Sequence, residues 1–273
     1  MHSVDSLIEA PGGRLFVRSW DPGSGTQPPV LLLHDSLGSV EQWRDFPQAL
    51  AAATGRRVVA YDRLGFGRSA PRRARPPIDF IAEEATSGFA PLAQALGIAR
   101  CALFGHSVGG AMALGVAAAH AKSVEAVITE SAQACVEPRT LAGIRAAAAQ
   151  FEDPAQLAKL VRWHGDKARW VLDAWAGVWL SPEFSSWELG PQLTSVTCPV
   201  LAIHGDQDEY GSVEFPRRIT WGVAGPSQLA ILAGCGHVPH RERRDEVLRL
   251  SAAFLAGEMR SRRSDPSAGC SLA

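Results

Sequence analysis

Residues 102–114 read ALFGHSVGGAMAL, and the rest of the chain falls into order around them. An apolar run from Cys101 to Gly105 has strand character, and the small-residue segment from Val108 to Ala121 has helical character. Ser107 stands at the junction, with Gly105 and Gly109 two residues to either side. A serine thrust out on so tight a strand-to-helix turn takes a strained backbone conformation. Glycine at those two positions removes side chains that would collide as the helix leaves the strand. The helix beginning at Val108 also aims free backbone N–H groups, and the positive end of its dipole, at negative charge forming near Ser107. In a chain with 26 glycines the five-residue pattern alone is weak. The strand before it and the helix after it give it weight, because an exposed nucleophile on such a turn requires both.

Upstream, strand patterns at Leu15–Trp20, Val30–Leu33 and Val58–Tyr61 alternate with helical stretches near Val40–Ala53 and Phe80–Leu96. Downstream come strand patterns at Val124–Thr129, Val200–Ile203 and Gln228–Leu232, and an amphipathic helix from about Asp245 to Leu255. Such alternation predicts an α/β fold, a doubly wound, mostly parallel sheet. Between about Ala132 and Leu193 the β-branched runs vanish, helical periodicity takes over, and five of the eight tryptophans occur: Trp163, Trp170, Trp175, Trp179 and Trp187. This predicts a helical cap at 132–193 inserted into a core formed by 1–131 and 194–257. The polar segment 258–273 is expected to be a flexible tail.

Four segments carry a family resemblance: HDSLG (34–38), DRLGFGRS (62–69), GHSVGG (105–110), and the pair HGDQD (204–208) with GCGHVPH (234–240), in this order. Together they resemble the α/β-hydrolase superfamily over nearly the whole chain to about Leu255. The resemblance implies a Ser-Asp-His enzyme with Ser107 as nucleophile and His237 as base. It implies an oxyanion hole from the backbone N–H groups of Ser36 and Val108. A serine at the elbow, by the same resemblance, argues against haloalkane dehalogenase and epoxide hydrolase chemistry, which use an aspartate there. HDSLG followed by Trp43 is similar to the corresponding loop of enol-lactone hydrolases.

Serine needs a base to take its proton, and histidine titrates in the useful range. His237 lies in a Gly-rich loop after the last strand; the competing reading is a solvated loop histidine. For the acid that orients the imidazole, Asp208 matches the family position, Glu130 is an alternative acid after the strand preceding the cap, and Asp206 sits at a turn where aspartate often caps its own backbone. His34 reads as structural and His240 as a brace of the loop. A metal pair of His237 and His240 lacks further ligands in sequence, so no metal is expected. DRLGFGRS lacks the ending and spacing of a phosphate loop and reads as a structural turn, from which Arg63 offers itself to a carboxylate substrate.

The cap's tryptophans predict an apolar pocket over a polar triad, although Trp175 and Trp179, four apart, are also what a helix packing onto the core would show. The cluster His164, Asp166, Lys167 and Arg169 reads either as a recognition site for an acidic group or as a solvated face. The balance of 27 basic and 28 acidic residues gives no overall field for nucleic acid or an anionic membrane. No signal peptide or membrane-length apolar run is seen, which predicts a cytoplasmic protein. Five cysteines without a CxxC pair read as small buried apolar residues, plus one, Cys270, in the tail. The expectation is therefore a cofactor-free serine hydrolase of a small, partly apolar carboxylic ester, lactone or thioester. Its rivals are a carbon-carbon bond hydrolase of ring-cleavage products and a non-catalytic ligand-binding relative.

Overall fold

A computed structural model describes residues 2–23 and 25–258. The expected tail at 258–273 therefore lies, but for Glu258, outside the described residues. Eight strands form one sheet: β1 (Ser3–Ala10), β2 (Gly13–Trp20), β3 (Val30–Leu33), β4 (Val58–Tyr61), β5 (Cys101–His106), β6 (Val124–Glu130), β7 (Val200–Gly205) and β8 (Ser227–Leu232). Their order is β1-β2-β4-β3-β5-β6-β7-β8, antiparallel for β1/β2 and β2/β4 and parallel thereafter. The chain belongs to the α/β class anticipated from its alternating patterns.

The helices are α1 (Phe46–Thr54), α2 (Phe80–Glu84), α3 (Ala90–Ala95), α4 (Val108–Ala119), α5 (Pro138–Gln150), α6 (Pro154–His164), α7 (Ala168–Trp179), α8 (Gly190–Leu193), α9 (Glu214–Gly222), α10 (Pro239–Glu242) and α11 (Arg244–Leu255). Both faces of the sheet are covered, which is why its central strands are apolar on both sides. On β3, Val30 and Leu32 enter one core with Phe46, Leu50, Val247 and Phe254. Leu31 and Leu33 enter the other, with Met112 and Leu114 of α4. Val171, Trp175 and Trp179 of α7 belong to this second core, so the helices between β6 and β7 are packed continuously onto the sheet layer. Each such buried side chain contributes about 1.5–3 kcal/mol.

Three features depart from the sequence reading. Strand β1 was not anticipated, because this edge strand buries only Ile8 fully and shows no period-2 apolar face. The stretch Val40–Ala53 is not one helix: a 3-10 turn at Val40–Trp43 ends at Arg44, which has φ 55°, before α1 begins with Pro47 in its first turn. The stretch Phe80–Leu96 is interrupted by a π-helical turn at Ala85–Phe89, just before Pro91, whose missing N–H cannot continue the ladder. Among the described residues no helix is long and apolar enough to cross a membrane.

Candidate active site

Ser107 joins β5 to α4 with φ 56° and ψ −127°, a left-handed backbone that a residue with a β-carbon rarely adopts. The flanking glycines allow it. A β-carbon on Gly105 would stand 2.2 Å from the carbonyl oxygen of Gly109, and one on Gly109 would stand 2.2 Å from that of Leu33. Val108 is the first residue of α4, so its N–H has no intrahelical acceptor.

Two loops at the same end of the sheet bring an aspartate and a histidine to this serine. Asp208 follows β7 and His237 follows β8. Gly205 lets the loops approach, since a β-carbon there would lie 2.2 Å from the carbonyl oxygen of Cys235. His237 Nε2 lies 3.0 Å from Ser107 Oγ, and its Nδ1 lies 2.8 and 2.9 Å from the two carboxylate oxygens of Asp208. With Asp208 accepting from Nδ1–H, Nε2 is left to accept the serine proton. Burial, the largest influence, pushes the Asp208 carboxyl upward, but the hydrogen bond and charge of His237, the nearby His204 and the N–H of Tyr210 together hold it below its ordinary value. It is thus an anion beneath the imidazole.

The competing acids go elsewhere. Glu130, at the end of β6, accepts from His240 Nδ1 at 2.6 Å, in a buried pair among Trp43 and Phe46. Asp206 accepts from the N–H of Gly234 at 2.8 Å; rather than capping its own backbone, it ties the β7 loop to the β8 loop. His34 is structural in a specific sense. Its Nε2 accepts from the Arg63 N–H at 3.1 Å, so Nδ1 carries the proton and donates to the Asp35 carbonyl at 2.8 Å. Burial, then the charge of Arg63, drive its pKa far down, keeping the ring neutral.

Three residues given no role by the sequence complete the site. Gln133 Nε2 donates to Ser107 Oγ at 3.1 Å. Glu242 receives the N–H groups of Gly236 and Val238, at 2.7 and 3.0 Å, and so grips the backbone on both sides of His237. His106 Nε2 donates to the His237 carbonyl at 2.8 Å, while its Nδ1 faces Asp35 Oδ2 at 3.3 Å. Burial opposes charge on His106, yet the hydrogen bond to Asp35 and the field of Glu130 raise its pKa overall. Glu242 was discoverable from its spacing to the loop; Gln133 is isolated in sequence and offered no signal. His106, Glu130 and His240 place ligand atoms within 4.8 Å of one another, but both ring nitrogens of His106 are already engaged by protein acceptors.

The polar cap cluster divides: Asp166 and Arg169 are exposed, while His164 and Lys167 form a strap. His164 Nδ1 accepts from Gly67 N–H at 2.9 Å and its Nε2 donates to the Leu37 carbonyl at 3.0 Å, while Lys167 Nζ donates to the carbonyls of Gly67 and Ser69 at 2.7 and 2.6 Å. These residues fasten the helical segment to the DRLGFGRS turn rather than face solvent. A cavity of about 270 Å³ opens beside Ser107 and His237 and is lined also by Ser36, Gln133, Ile144, Trp175 and Tyr210. Its wall is mainly apolar, and two carboxylates, Asp35 and Glu209, border it.

A nucleophile-elbow serine, an imidazole and a buried carboxylate at the carboxyl ends of a doubly wound sheet define the hydrolase class of this architecture. Residues 28–243 match the model of the alpha/beta hydrolase fold family, and the chain belongs to that family. It is 24% identical over 252 residues, covering 83% of this chain and 87% of the relative, to a 2-hydroxy-6-oxo-6-phenylhexa-2,4-dienoate hydrolase of Comamonas testosteroni. In structure it resembles a membrane phospholipase A described as a bacterial virulence factor (TM-score 0.76, 22% identity, 93% of this chain and 86% of that one). It also resembles the enol-lactonase of Burkholderia xenovorans LB400 (TM-score 0.71, 23% identity, 92% and 100%).

Proposed function

We propose that this hydrolase is a serine enzyme that cleaves a small carboxylic ester, lactone or thioester through an acyl-enzyme. The observation that carries the reading is the continuous hydrogen-bonded chain from Asp208 through His237 to Ser107, set on a strained elbow at the edge of a cavity. Ser107 Oγ attacks the carbonyl carbon as His237 Nε2 takes its proton. Asp208 holds the imidazole in the required tautomer and stabilises the imidazolium. The N–H groups of Ser36 and Val108 receive the oxyanion, a contribution of about 3–4 kcal/mol per donor in comparable sites. The imidazolium then protonates the leaving group, and water repeats the sequence to free the acid and Ser107. No cofactor takes part in these steps.

Intact mass after treatment with a fluorophosphonate tests this reading. One adduct is expected on the native chain and none on Ser107→Ala or His237→Ala; a folded native chain that takes no adduct would sink it. A second reading, hydrolysis of a carbon-carbon bond in a vinylogous diketone acid, draws support from the dienoate hydrolase relative, which aligns over most of both chains. Product analysis separates the two, since that reaction releases a carbon acid where ester cleavage releases an alcohol.

A further inference from the structure

Two cavities near Ser107 share lining residues, and their charges differ. The one that contains Ser107 is bordered by Asp35 and Glu209. Asp35 is an anion there: burial works against it, but His106 and the neighbouring imidazoles hold its carboxyl far below the ordinary range. The second cavity, about 460 Å³, is bounded by α2 and the π turn and lined by Arg63, Arg72, Arg73, Glu83 and Glu84. Ser36, Trp175 and Trp179 line both cavities, and Val108 lines the larger. Of the two residues assigned to the oxyanion, Ser36 thus borders both cavities and Val108 the larger, so a carbonyl held by them has both cavities within reach of its two arms.

Within the larger cavity the charges do not cancel locally. Arg72 is bound to Glu83 through two hydrogen bonds of 3.0 and 3.1 Å. Glu84 accepts the Tyr61 hydroxyl at 2.5 Å, and burial, outweighing the pull of Arg63, raises its pKa. Arg63 is 6% exposed. Its Nη2 donates to the Asp35 carbonyl at 2.7 Å and faces His34 Nδ1 at 3.3 Å, while Nε has no acceptor. No carboxylate pairs with it among the described residues. A guanidinium keeps its charge in proteins, even though burial lowers its pKa. Phe66 stacks 4.4 Å beneath the guanidinium, and Glu84 and Asp35 act on it only through the field. A buried cation with no carboxylate in contact, on the wall of a substrate-sized cavity, is a strong selector for an anion, because its desolvation is already complete before the ligand arrives.

We infer that Arg63 binds a carboxylate of the substrate, which is therefore an ester or lactone whose scissile carbonyl lies a few bonds from a carboxylate, its apolar arm resting beside Tyr210 and Ile144. This rests on the serine-hydrolase reading above. Asp35 and Glu209 reinforce the orientation by repelling the carboxylate from the Ser107 side.

The test compares kcat/KM for p-nitrophenyl hydrogen adipate and neutral p-nitrophenyl hexanoate, and for the butyryl esters of 4-hydroxybenzoate and p-cresol, which place the carboxylate on the acyl and alcohol sides respectively. In at least one pair the native protein should favour the anion by about tenfold or more. Arg63→Gln should bring that ratio to about one or below, and Arg63→Lys should restore part of it. Equal rates within both pairs, or a preference that survives in Arg63→Gln, would overturn the inference. If Arg63→Gln does not fold, inhibition of hexanoate-ester hydrolysis in the native protein decides: adipate should compete about tenfold better than adipamide, and equal competition refutes the site. Fluorophosphonate labelling distinguishes the levels. A labelled Ser107 with no anion preference removes only this inference, whereas no label and no turnover of any ester removes the serine-hydrolase reading and this inference with it.

Discussion

Two histidines three residues apart in the chain each pair with a carboxylate, and the two pairs behave as opposites. His237 with Asp208 and His240 with Glu130 have nearly the same Nδ1-to-carboxylate distances, 2.8 and 2.6 Å. The difference lies at the other nitrogen. His237 turns Nε2 to Ser107 at the cavity, whereas His240 is enclosed by Trp43 and Phe46, with ring centroids 4.8 and 5.4 Å away. Burial pushes the His240 pKa down, so the pair there is a neutral imidazole donating to a carboxylate. A histidine–carboxylate contact is thus a structural device in itself, and under the proposed mechanism it serves catalysis only where the ring's second nitrogen meets the serine.

The largest effect that sharpens this contrast is on turnover. Ser107→Ala and His237→Ala should each lower kcat/KM by about 10⁴-fold or more, and Asp208→Asn by about 10³–10⁴-fold, with circular dichroism and melting little changed. Glu130→Gln should alter turnover per folded molecule by less than about threefold; an effect as large as that of Asp208→Asn would erase the distinction drawn here.

Stability should show the reverse pattern. His240→Ala leaves the Glu130 charge buried without its partner and should destabilise by about 3–5 kcal/mol in urea unfolding. The double change Glu130→Leu with His240→Phe should recover most of that loss, and failure to do so would mean that the pair stabilises beyond satisfying its own burial.

The acid dependence of melting follows from the same pair. His240 has a depressed folded pKa, so the unfolded chain binds the extra proton first and stability falls as pH drops below about 6.5. Glu130, also depressed, contributes fully above its ordinary value and loses that contribution as pH falls through it toward the folded value. His106 acts in the opposite sense, stabilising at low pH and less as pH rises through its raised value. Melting curves from pH 7 to pH 4 should be flatter at the upper end for His240→Phe and at the lower end for Glu130→Gln. The smallest effect concerns Gln133: Gln133→Leu removes one donor to Ser107 Oγ and should lower kcat about three- to tenfold with little change in KM.

Much of this was readable from the chain because local chemistry forces it. GHSVG requires a strand and a helix, and both are present as anticipated; central strands such as Leu103–Phe104 and Val127–Ile128 declare themselves by unbroken apolar runs. His237 lies within hydrogen-bonding distance of both Ser107 and Asp208. What the sequence concealed depends on tertiary partners. Strand β1 has no apolar face of its own, α9 was passed over, and the roles of Glu242 and Gln133 exist only once distant loops meet. His164 and Lys167 read either as a recognition site or as a solvated face because their partners are backbone carbonyls and amides about a hundred residues away.

The backbone of Ser107 carries a further consequence. Any L-residue at this position meets the same steric penalty, about 1–2 kcal/mol, whether or not it can react, and only glycine escapes it. Ser107→Gly should therefore melt higher than Ser107→Ala while both are inert. A population of variants selected for heat resistance alone would drift toward losing its chemistry at this one residue, so the elbow serine persists only under selection that reads turnover.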